Sequence, residues 1–233
     1  TMLGLSATML SMFGIFGAIL SGTGGAETFI KMGQRFTGRF TGGSGKVSVV
    51  ASSLFGMISG SAIGNVVATG VFTIPSMKKA GYTNEWAATV EAVSSTGGQI
   101  MPPIMGAAAF IMAQLIGVNY IQIAKAAIVP ALLYYLSTFL SIHLVSVRDG
   151  IKGSNEKPTI KVGDYLIILV PLVIFIGFLL AGYTVLIGAF YATIGALAMY
   201  VVRFIVSTKG DVKAVAKDTG KVCYNTVING TNS

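Results

Sequence analysis

Charged residues are scarce in this sequence, and their scarcity sets the class of the protein. Only 10% of the 233 residues are charged, whereas 53% are hydrophobic; a soluble domain carries about 25% charged residues. Apolar segments such as residues 165–181 and 185–206 suit membrane helices and are too uniform for barrel strands. The sequence therefore predicts an all-α, polytopic membrane protein rather than a soluble domain.

Cysteine and histidine are almost absent. The single cysteine, Cys223, excludes an internal disulfide, and no spacing of cysteine and histidine typical of a metal site is present. His143 is the only histidine and lies in the apolar segment 126–147, where a packed side chain is the simpler interpretation. We therefore predict no catalytic residues and no transition metal.

Basic residues outnumber acidic ones by 16 to 8. They fall between the apolar segments, so we interpret them as signals of membrane topology and not as a nucleic-acid surface. The sequence opens within a hydrophobic segment, and residues 209–221 near its other end are amphipathic. We expect it to be a piece of a larger membrane protein.

The positions of the basic residues indicate that residues 46–80 enter the membrane and return to the same side. A single crossing would separate Lys46 from Lys78 and Lys79 and would break the positive-inside rule repeatedly. A re-entrant hairpin puts these lysines on one side, together with the basic residues of segments 148–161 and 209–221. A limb over residues 47–58 would be about 18 Å long, too short for a hydrocarbon core of about 30 Å.

Residues 81–118 are apolar but interrupted by TGGQIMPP at residues 96–103. Gly97 and Gly98 permit a sharp turn, and Pro102 and Pro103 suit the start of a helix. We predict half-helices over residues 84–95 and 104–116, with the break at the depth of the hairpin tip, residues 59–65. Non-helical backbone at that depth must be buried in protein or face a water-filled cavity.

The helix ends at the two breaks suggest one site for a cation and one for an anion. Carbonyl ends with hydroxyl groups suit Na⁺, and N–H ends suit a carboxylate. The cation-site candidates are Ser59, Ser61, Ser95, Thr96 and Gly98, and the substrate-site candidates are Asn65, Gln99 and Pro102. Close helix packing is the simpler role for such small residues, and Asn65 could instead cap a limb that begins at Val66.

Glu91 is the only acidic residue deep in an apolar element. Intramembrane carboxylates are candidates for function because a charge there is costly to keep. We treat Glu91 as a candidate relay for a proton or a cation.

Two stretches carry a family resemblance. GMISGSAIGNVVATGVFTIPSMKKAGY (residues 56–82) and EAVSSTGGQIMPPIMGAAAFIMA (residues 91–113) resemble the large membrane subunit of the tripartite ATP-independent periplasmic (TRAP) transporters, most of all the fused-permease type that works with TAXI-class binding proteins. Where members often show a TLGIIIPPS-like break, this sequence has TGGQIMPPI, and Gln99 adds an amide.

The resemblance implies an ion-transporter-like inverted-repeat fold, of which this chain would hold one repeat plus linking spans. It implies an elevator-type permease of the bacterial or archaeal inner membrane, with its basic loops cytoplasmic, that imports organic acids with Na⁺ or H⁺ and uses no other cofactor. The implied partners are a periplasmic solute-binding protein, a small membrane subunit and lipid, with no nucleic acid.

The predicted organisation has seven parts. They are a first span plus an interfacial amphipathic helix (1–45), the re-entrant hairpin (46–80), the broken transmembrane helix (81–118), a span (119–147), a cytoplasmic loop (148–164), two spans (165–206) and the truncated start of a second repeat (207–233).

Two other functions remain open at this stage. A divalent-anion:Na⁺ symporter has the same hairpin architecture but needs no binding protein. An intramembrane serine enzyme would use Ser59 or Ser61 as its nucleophile and His143, the only histidine, as its base.

A cysteine at position 79 tests the re-entrant hairpin. In a Cys223→Ser background of the full-length protein, we expect Lys79→Cys to resist an impermeant thiol reagent in intact cells and to react in inverted vesicles. Val118→Cys, in a turn predicted to lie outside, is the matched control that should react in intact cells. Labelling of position 79 from the outside would contradict the hairpin.

Overall fold

A computed structural model describes residues 2–154, 158 and 162–207, and these residues form helices and turns. The helices are α1 (Met2–Gly22), α2 (Gly25–Thr37), α3 (Gly43–Ser59), α4 (Ala62–Lys79), α5 (Asn84–Thr96), a 3₁₀ helix (Gly97–Ile100), α6 (Ala107–Ile116), α7 (Tyr120–Arg148), α8 (Val162–Leu180) and α9 (Val185–Ser207). Of the predicted start of a second repeat (207–233), residues 208–233 lie outside the described residues.

Three of the described helices are individually long and apolar enough to cross a membrane. They are α7, residues Gly163–Leu180 of α8 and residues Val185–Val202 of α9. The chain is therefore an all-helical, polytopic membrane protein, as its composition predicts. The limbs α3 and α4 are not among these three helices.

The chain divides into two compact units, Thr1–Gly25 with Lys161–Ser233, and Ala26–Ile160. In the described part of the first unit, α8 and α9 pack along each other and α1 contacts α9. Phe13 meets Phe175 edge to face with 5.9 Å between ring centroids, and Gly188 lies against the Phe175 ring. This unit is a packed set of apolar helices.

In the second unit, α3 and α4 form a helical hairpin that turns within two residues. Gly60 ends α3 in the left-handed conformation, with φ of 61°, which glycine adopts without a steric penalty. Ser61 then begins α4 as its N-cap, because its Oγ accepts a hydrogen bond from Gly64 N at 3.2 Å. The turn falls inside the predicted tip, but α3 begins at Gly43, four residues before the predicted limb.

The element after the hairpin is broken, but not as predicted beyond Gly98. Helix α5 has nearly the predicted bounds, and Thr83 caps it by accepting from Trp86 N at 3.2 Å. The predicted helix start at Pro102 and Pro103 is wrong. These prolines lie in a turn with a cis peptide bond, and α6 begins only at Ala107.

Helix α7 packs across the ends of the hairpin that lie farthest from its turn. Tyr82 OH lies 2.6 Å from Ser146 Oγ of α7, and Lys46 Nζ donates to His143 Nδ1 at 3.1 Å. A cluster of buried apolar side chains joins α3, α4, α5 and α7. The hairpin, α5 and α7 therefore share one core.

Two glycines allow the hairpin and the break to meet backbone to backbone. A Cβ atom on Gly56 of α3 would lie 2.4 Å from the Cα of Gly98, and one on Gly98 would lie 2.7 Å from the Cα of Gly56. Neither neighbour is a flexible side chain that can turn aside. The close approach of α3 to the 3₁₀ helix therefore requires glycine at both positions.

We expect Gly56→Ala to destabilise the full-length protein. Alanine in a helix interior normally stabilises by about 0.5–1 kcal/mol relative to glycine, but the clash with backbone should cost about 1–3 kcal/mol. Gly64→Ala in α4 is the matched control, because a Cβ there meets Ser61 only at 3.4 Å. Thermal unfolding in detergent should show a lower midpoint for Gly56→Ala alone; an equal or higher midpoint would show that the contact is not tight.

Candidate functional site

The candidate site lies where residues 56–61 of the hairpin meet residues 96–106 of the broken element; we call it the tip–break site. It overlaps the predicted tip (59–65) and the predicted break (96–103) without having the same bounds. Ile104 N donates to Met57 O at 3.0 Å. A Cβ on Gly60 would lie 2.7 Å from Met105 O. The structure thus brings the two predicted interruptions into direct backbone contact.

Ser59 and Ser61 both lie at the tip. Ser59 is buried, with 7% of its surface exposed, and its Oγ accepts from Ser61 N at 3.5 Å. Ser61 Oγ is the cap of α4. Each hydroxyl oxygen has a second lone pair, so capping leaves capacity for a further contact. Their predicted role as cation ligands stays a prediction.

The carbonyl end of α5 is largely occupied by tyrosines that sequence reasoning missed. Tyr134 OH donates to Val93 O at 2.8 Å, and Tyr135 OH donates to Ser94 O at 3.2 Å. Both tyrosines come from α7, where two adjacent tyrosines in an apolar span were the available signal. Val93 O also accepts from the backbone N–H of Gly97, so the two phenols of α7 add to the partners that the chain itself provides at this helix end.

Other candidates at this end of α5 differ in environment. Thr96 is exposed, and its Oγ1 donates to Ala92 O at 2.8 Å. Gly98 is buried against Gly56. The hydroxyl of Ser94 is fully buried and has no hydrogen-bond partner, so it is available to a ligand.

Asn65 is not an N-cap residue, which was the alternative role that the sequence suggested for it. It lies within the first turns of α4 because the cap is Ser61, so its interpretation as a cap of a limb beginning at Val66 is wrong. The side chain is fully buried, and its Nδ2 donates to Ser52 O of α3 at 2.8 Å. Asn65 therefore links α4 to α3 by a hydrogen bond. Its contact with substrate stays a prediction.

The remaining substrate candidates lie in the break. Gln99 is exposed and Pro102 is half-buried. The backbone carbonyl of Gln99 accepts from Gly106 N at 2.7 Å, which closes the turn that follows the 3₁₀ helix. The side-chain amide of Gln99 is thus free to meet solvent or a solute.

Ser95 faces Glu91 rather than the break. Its Oγ donates to Oε1 of Glu91 at 3.2 Å. Glu91 is fully buried and accepts from hydroxyls of both hairpin limbs as well. Ser48 Oγ donates to Oε2 at 2.7 Å, and Ser52 Oγ makes a longer contact with Oε1 at 3.5 Å.

Two threonines of α4 complete this arrangement. Thr69 Oγ1 donates to Oε1 of Glu91, and Thr73 Oγ1 donates to Oε2. Glu91 with its five serine and threonine partners is the hydroxyl cluster of this protein. The pairs Ser48/Ser52 and Thr69/Thr73 are spaced by four residues, which places each pair on one helix face; this spacing was the signal that sequence reasoning missed.

The position of His143 rules out the serine-enzyme hypothesis. Its Nδ1 accepts from Lys46 Nζ, and Lys46 is thirteen residues before Ser59 on the same helix. That separation corresponds to about 20 Å along α3. A base must lie within hydrogen-bond reach of the nucleophile that it activates, so the Ser–His pair of this alternative does not exist in the structure.

Known proteins resemble this chain over most of its length. The family model of the "Tripartite ATP-independent periplasmic transporter, DctM component" matches residues 2–228. The chain is 32% identical over 153 residues to the C4-dicarboxylate TRAP transporter large permease protein DctM of Vibrio cholerae, covering 65% of this chain and 33% of that protein.

Two further relatives are named for a different solute. The sialic acid TRAP transporter permease protein SiaT of Haemophilus influenzae is 29% identical over 139 residues, covering 59% of this chain and 22% of the relative. The sialic acid TRAP transporter large permease protein SiaM of Vibrio cholerae is 25% identical over 174 residues, covering 73% and 40%. The matched region spans less than half the length of each relative.

These relatives are permeases and not enzymes. Because the family model matches nearly every residue, the chain belongs to the DctM family of TRAP transporter large permease subunits.

Proposed function

We propose that this chain forms one repeat of a secondary transporter that imports an organic acid together with Na⁺. The observation that carries the proposal is the backbone contact between the hairpin tip and the break, from Met57 O to Ile104 N. Helix interruptions at membrane depth are tolerated where they line a binding cavity, and paired half-helices are the usual frame of coupled ion and substrate sites.

The positions of the basic residues, and not the limb lengths, support a re-entrant hairpin. The limbs have 17 and 18 residues, or about 26 Å each as helices, which is longer than the predicted limb of about 18 Å and close to the hydrocarbon core of about 30 Å. Lys46 lies near the start of one limb and Lys78 and Lys79 at the end of the other. In the proposed topology this basic side is cytoplasmic, in a bacterial or archaeal inner membrane.

The cation site would use oxygens at the tip and the break. Ser59, Ser61, Thr96 and the backbone of Gly98 remain the candidates, and we add Ser94, whose buried Oγ has no partner. Neutral hydroxyl and carbonyl oxygens suit a hard monovalent cation better than a transition metal. Ser95 would act on this site only through Glu91.

The substrate would be an organic acid. The relatives are named for C4-dicarboxylate and for sialic acid, and both are acids. The first turn of α4 presents N–H groups and a positive helix-dipole end beside the break. Asn65, Gln99 and Pro102 remain the candidate contacts, with the exposed amide of Gln99 the one that can donate without rearrangement.

Transport would need more than this chain. We propose a periplasmic binding protein that delivers the acid, a small membrane subunit that braces the permease and a second, inverted repeat that completes both sites. The hairpin, α5, the break and α7 share one core, so they would move together in an elevator-type cycle. A binding-protein-independent divalent-anion:Na⁺ symporter remains the alternative.

Variants at Ser94 and Thr96 test the cation site. We expect Ser94→Ala and Thr96→Val to raise the Na⁺ concentration for half-maximal uptake by about tenfold, because losing a polar contact to a charged ligand costs about 1.5 kcal/mol. The measurement is uptake of radiolabelled succinate or sialic acid by full-length protein in proteoliposomes, with its binding protein, at constant pH.

Ser137→Ala is the matched control for these two variants. Its hydroxyl donates to Tyr134 O on the exposed side of α7, so the Na⁺ dependence should not change. An unchanged Na⁺ dependence in both Ser94→Ala and Thr96→Val would remove the tip–break site as the cation site.

Omitting the binding protein separates the two transporter hypotheses. We expect uptake in the same proteoliposomes to fall to background without it, because the permease would receive the acid only from that protein. Equal uptake with and without the binding protein would favour the independent symporter.

A further inference from the structure

The geometry points to Glu91 as a proton-binding site inside the hairpin unit, reached from a side cavity through Thr73. Its role in uptake rests on the transport function proposed above, whereas the binding of the proton does not.

The carboxyl group has a full set of hydrogen bonds. Thr69 and Ser95 donate to Oε1, and Ser48 and Thr73 donate to Oε2. A carboxylate offers about four lone-pair sites, so these four donors replace the water that a charged carboxylate would otherwise need. Burial of the ionised form without such donors would be very costly.

The same donors can also accommodate the protonated acid. Thr69 Oγ1 lies 2.8 Å from Asn65 O, and Thr73 Oγ1 lies 3.0 Å from Thr69 O. Each hydroxyl can therefore turn its proton to a carbonyl of α4 and accept one from Glu91, because a hydroxyl is both donor and acceptor. Neither protonation state leaves a buried polar group without a partner.

The contact between Ser48 and Glu91 has the length expected between a carboxylate and a hydroxyl donor. Ser48 Oγ lies 2.7 Å from Oε2 of Glu91, the range of a charge-assisted O–H···O bond.

A cavity of about 260 Å³ lies beside the cluster. Its lining includes Thr73, Ser44, Glu27 and Ser76. Glu27 and Ser76 are exposed, so the cavity reaches the surface, and Ser44 contributes a buried Oγ without a partner. Thr73 is the residue that belongs to both the cavity wall and the hydroxyl cluster.

Proton entry then needs one relay residue. A hydronium ion in the cavity gives a proton to Thr73 Oγ1 as this oxygen passes its own proton to Oε2 of Glu91. One O–H bond of Thr73 forms as the other breaks, water is left in the cavity, and the carboxylate becomes a neutral acid. The reverse sequence releases the proton.

The other titratable groups on the helices around α5 have partners or lie in solvent. On α3 and α7, Lys46 is paired with His143, and Tyr134 and Tyr135 donate to α5 carbonyls. At the cavity, Glu27 pairs with Lys31 at 2.8 Å. Lys78 and Lys79 of α4 and Glu85 of α5 are exposed. None of the ion pairs among the described residues involves Glu91.

Infrared difference spectroscopy of the full-length protein tests the site without substrate or Na⁺. We expect a C=O band of a protonated carboxylic acid that appears and disappears with pH and is lost in Glu91→Gln. Glu85→Gln, which removes the exposed carboxyl at the start of the same helix, should keep the band. Absence of a titrating Glu91 band at every pH where the protein stays folded would overturn the proposal.

Deuterium exchange tests the route. In D₂O the band shifts as its proton is replaced, and we expect Thr73→Val to slow this shift. Ser48→Ala removes a donor to the same oxygen but does not touch the cavity, so its exchange should stay near the wild-type rate. Equal rates in the two variants would overturn access through Thr73.

If Glu91→Gln does not fold, a second variant can still show that the band belongs to Glu91. Ser48→Ala should then move the band by removing one hydrogen bond from the carboxyl group, while Ser137→Ala should leave it in place. A band whose position is the same in Ser48→Ala and in the wild type belongs to another group, and this result would overturn the proposal. Because no Na⁺ is present, this result is independent of the test of the cation site.

Discussion

Helix ends that stop inside protein must find partners for their backbone groups, and the second unit is arranged around this constraint. The hairpin and the broken helix together create several such ends within one region. Tyr134 and Tyr135 donate to the last carbonyls of α5, and Ser61 accepts from the first turn of α4. Tyr120 OH donates to Pro103 O at 2.8 Å and accepts from Met105 N at 3.2 Å. Helix α7 thus contributes three phenol groups, two to the end of α5 and one to the break.

The need of buried polar groups for hydrogen-bond partners also explains the polar interior of the hairpin. Serines and threonines at spacings of four would be ordinary packing residues in a lone helix. Here the serines and threonines of α3 and α4 face the carboxylate of Glu91 on α5, which accepts their hydrogen bonds. Lipid around the helices would supply no such acceptor. Asn65 adds a bond from α4 to the backbone of α3. The hairpin is therefore held by hydrogen bonds along its length as well as by its turn.

Local rules predicted the parts of the fold that depend on nearby residues. The hairpin turn, the bounds of α5 and the long apolar helices all follow from glycine positions, capping residues and hydropathy. The errors lie where distant residues decide. Pro102 and Pro103 suit a helix start, but bonds from Ile104 N to Met57 O and from Gly106 N to Gln99 O hold the chain in a turn. The predicted start of α3 was too late because the sequence GGSG at residues 42–45 is typical of a loop.

The candidate site shows the same division. Sequence placed the tip and the break in one region and singled out Glu91, but it could not show which side chains turn toward that acid. Ser95 was assigned to the break because its neighbours in sequence are there, whereas Glu91 lies one helical turn away and takes its hydroxyl. The tyrosines of α7 lie about forty residues from the carbonyls that they bond, beyond any local pattern.

The contact of Gly56 with Gly98 has a consequence for permeation. A Cβ on either residue would lie within 2.7 Å of the other residue's Cα, so the two backbones meet with no side chain between them. In the transport cycle proposed above, a barrier to ions at this contact would need no side chain to move, because two hydrogen atoms stand where side chains would otherwise be.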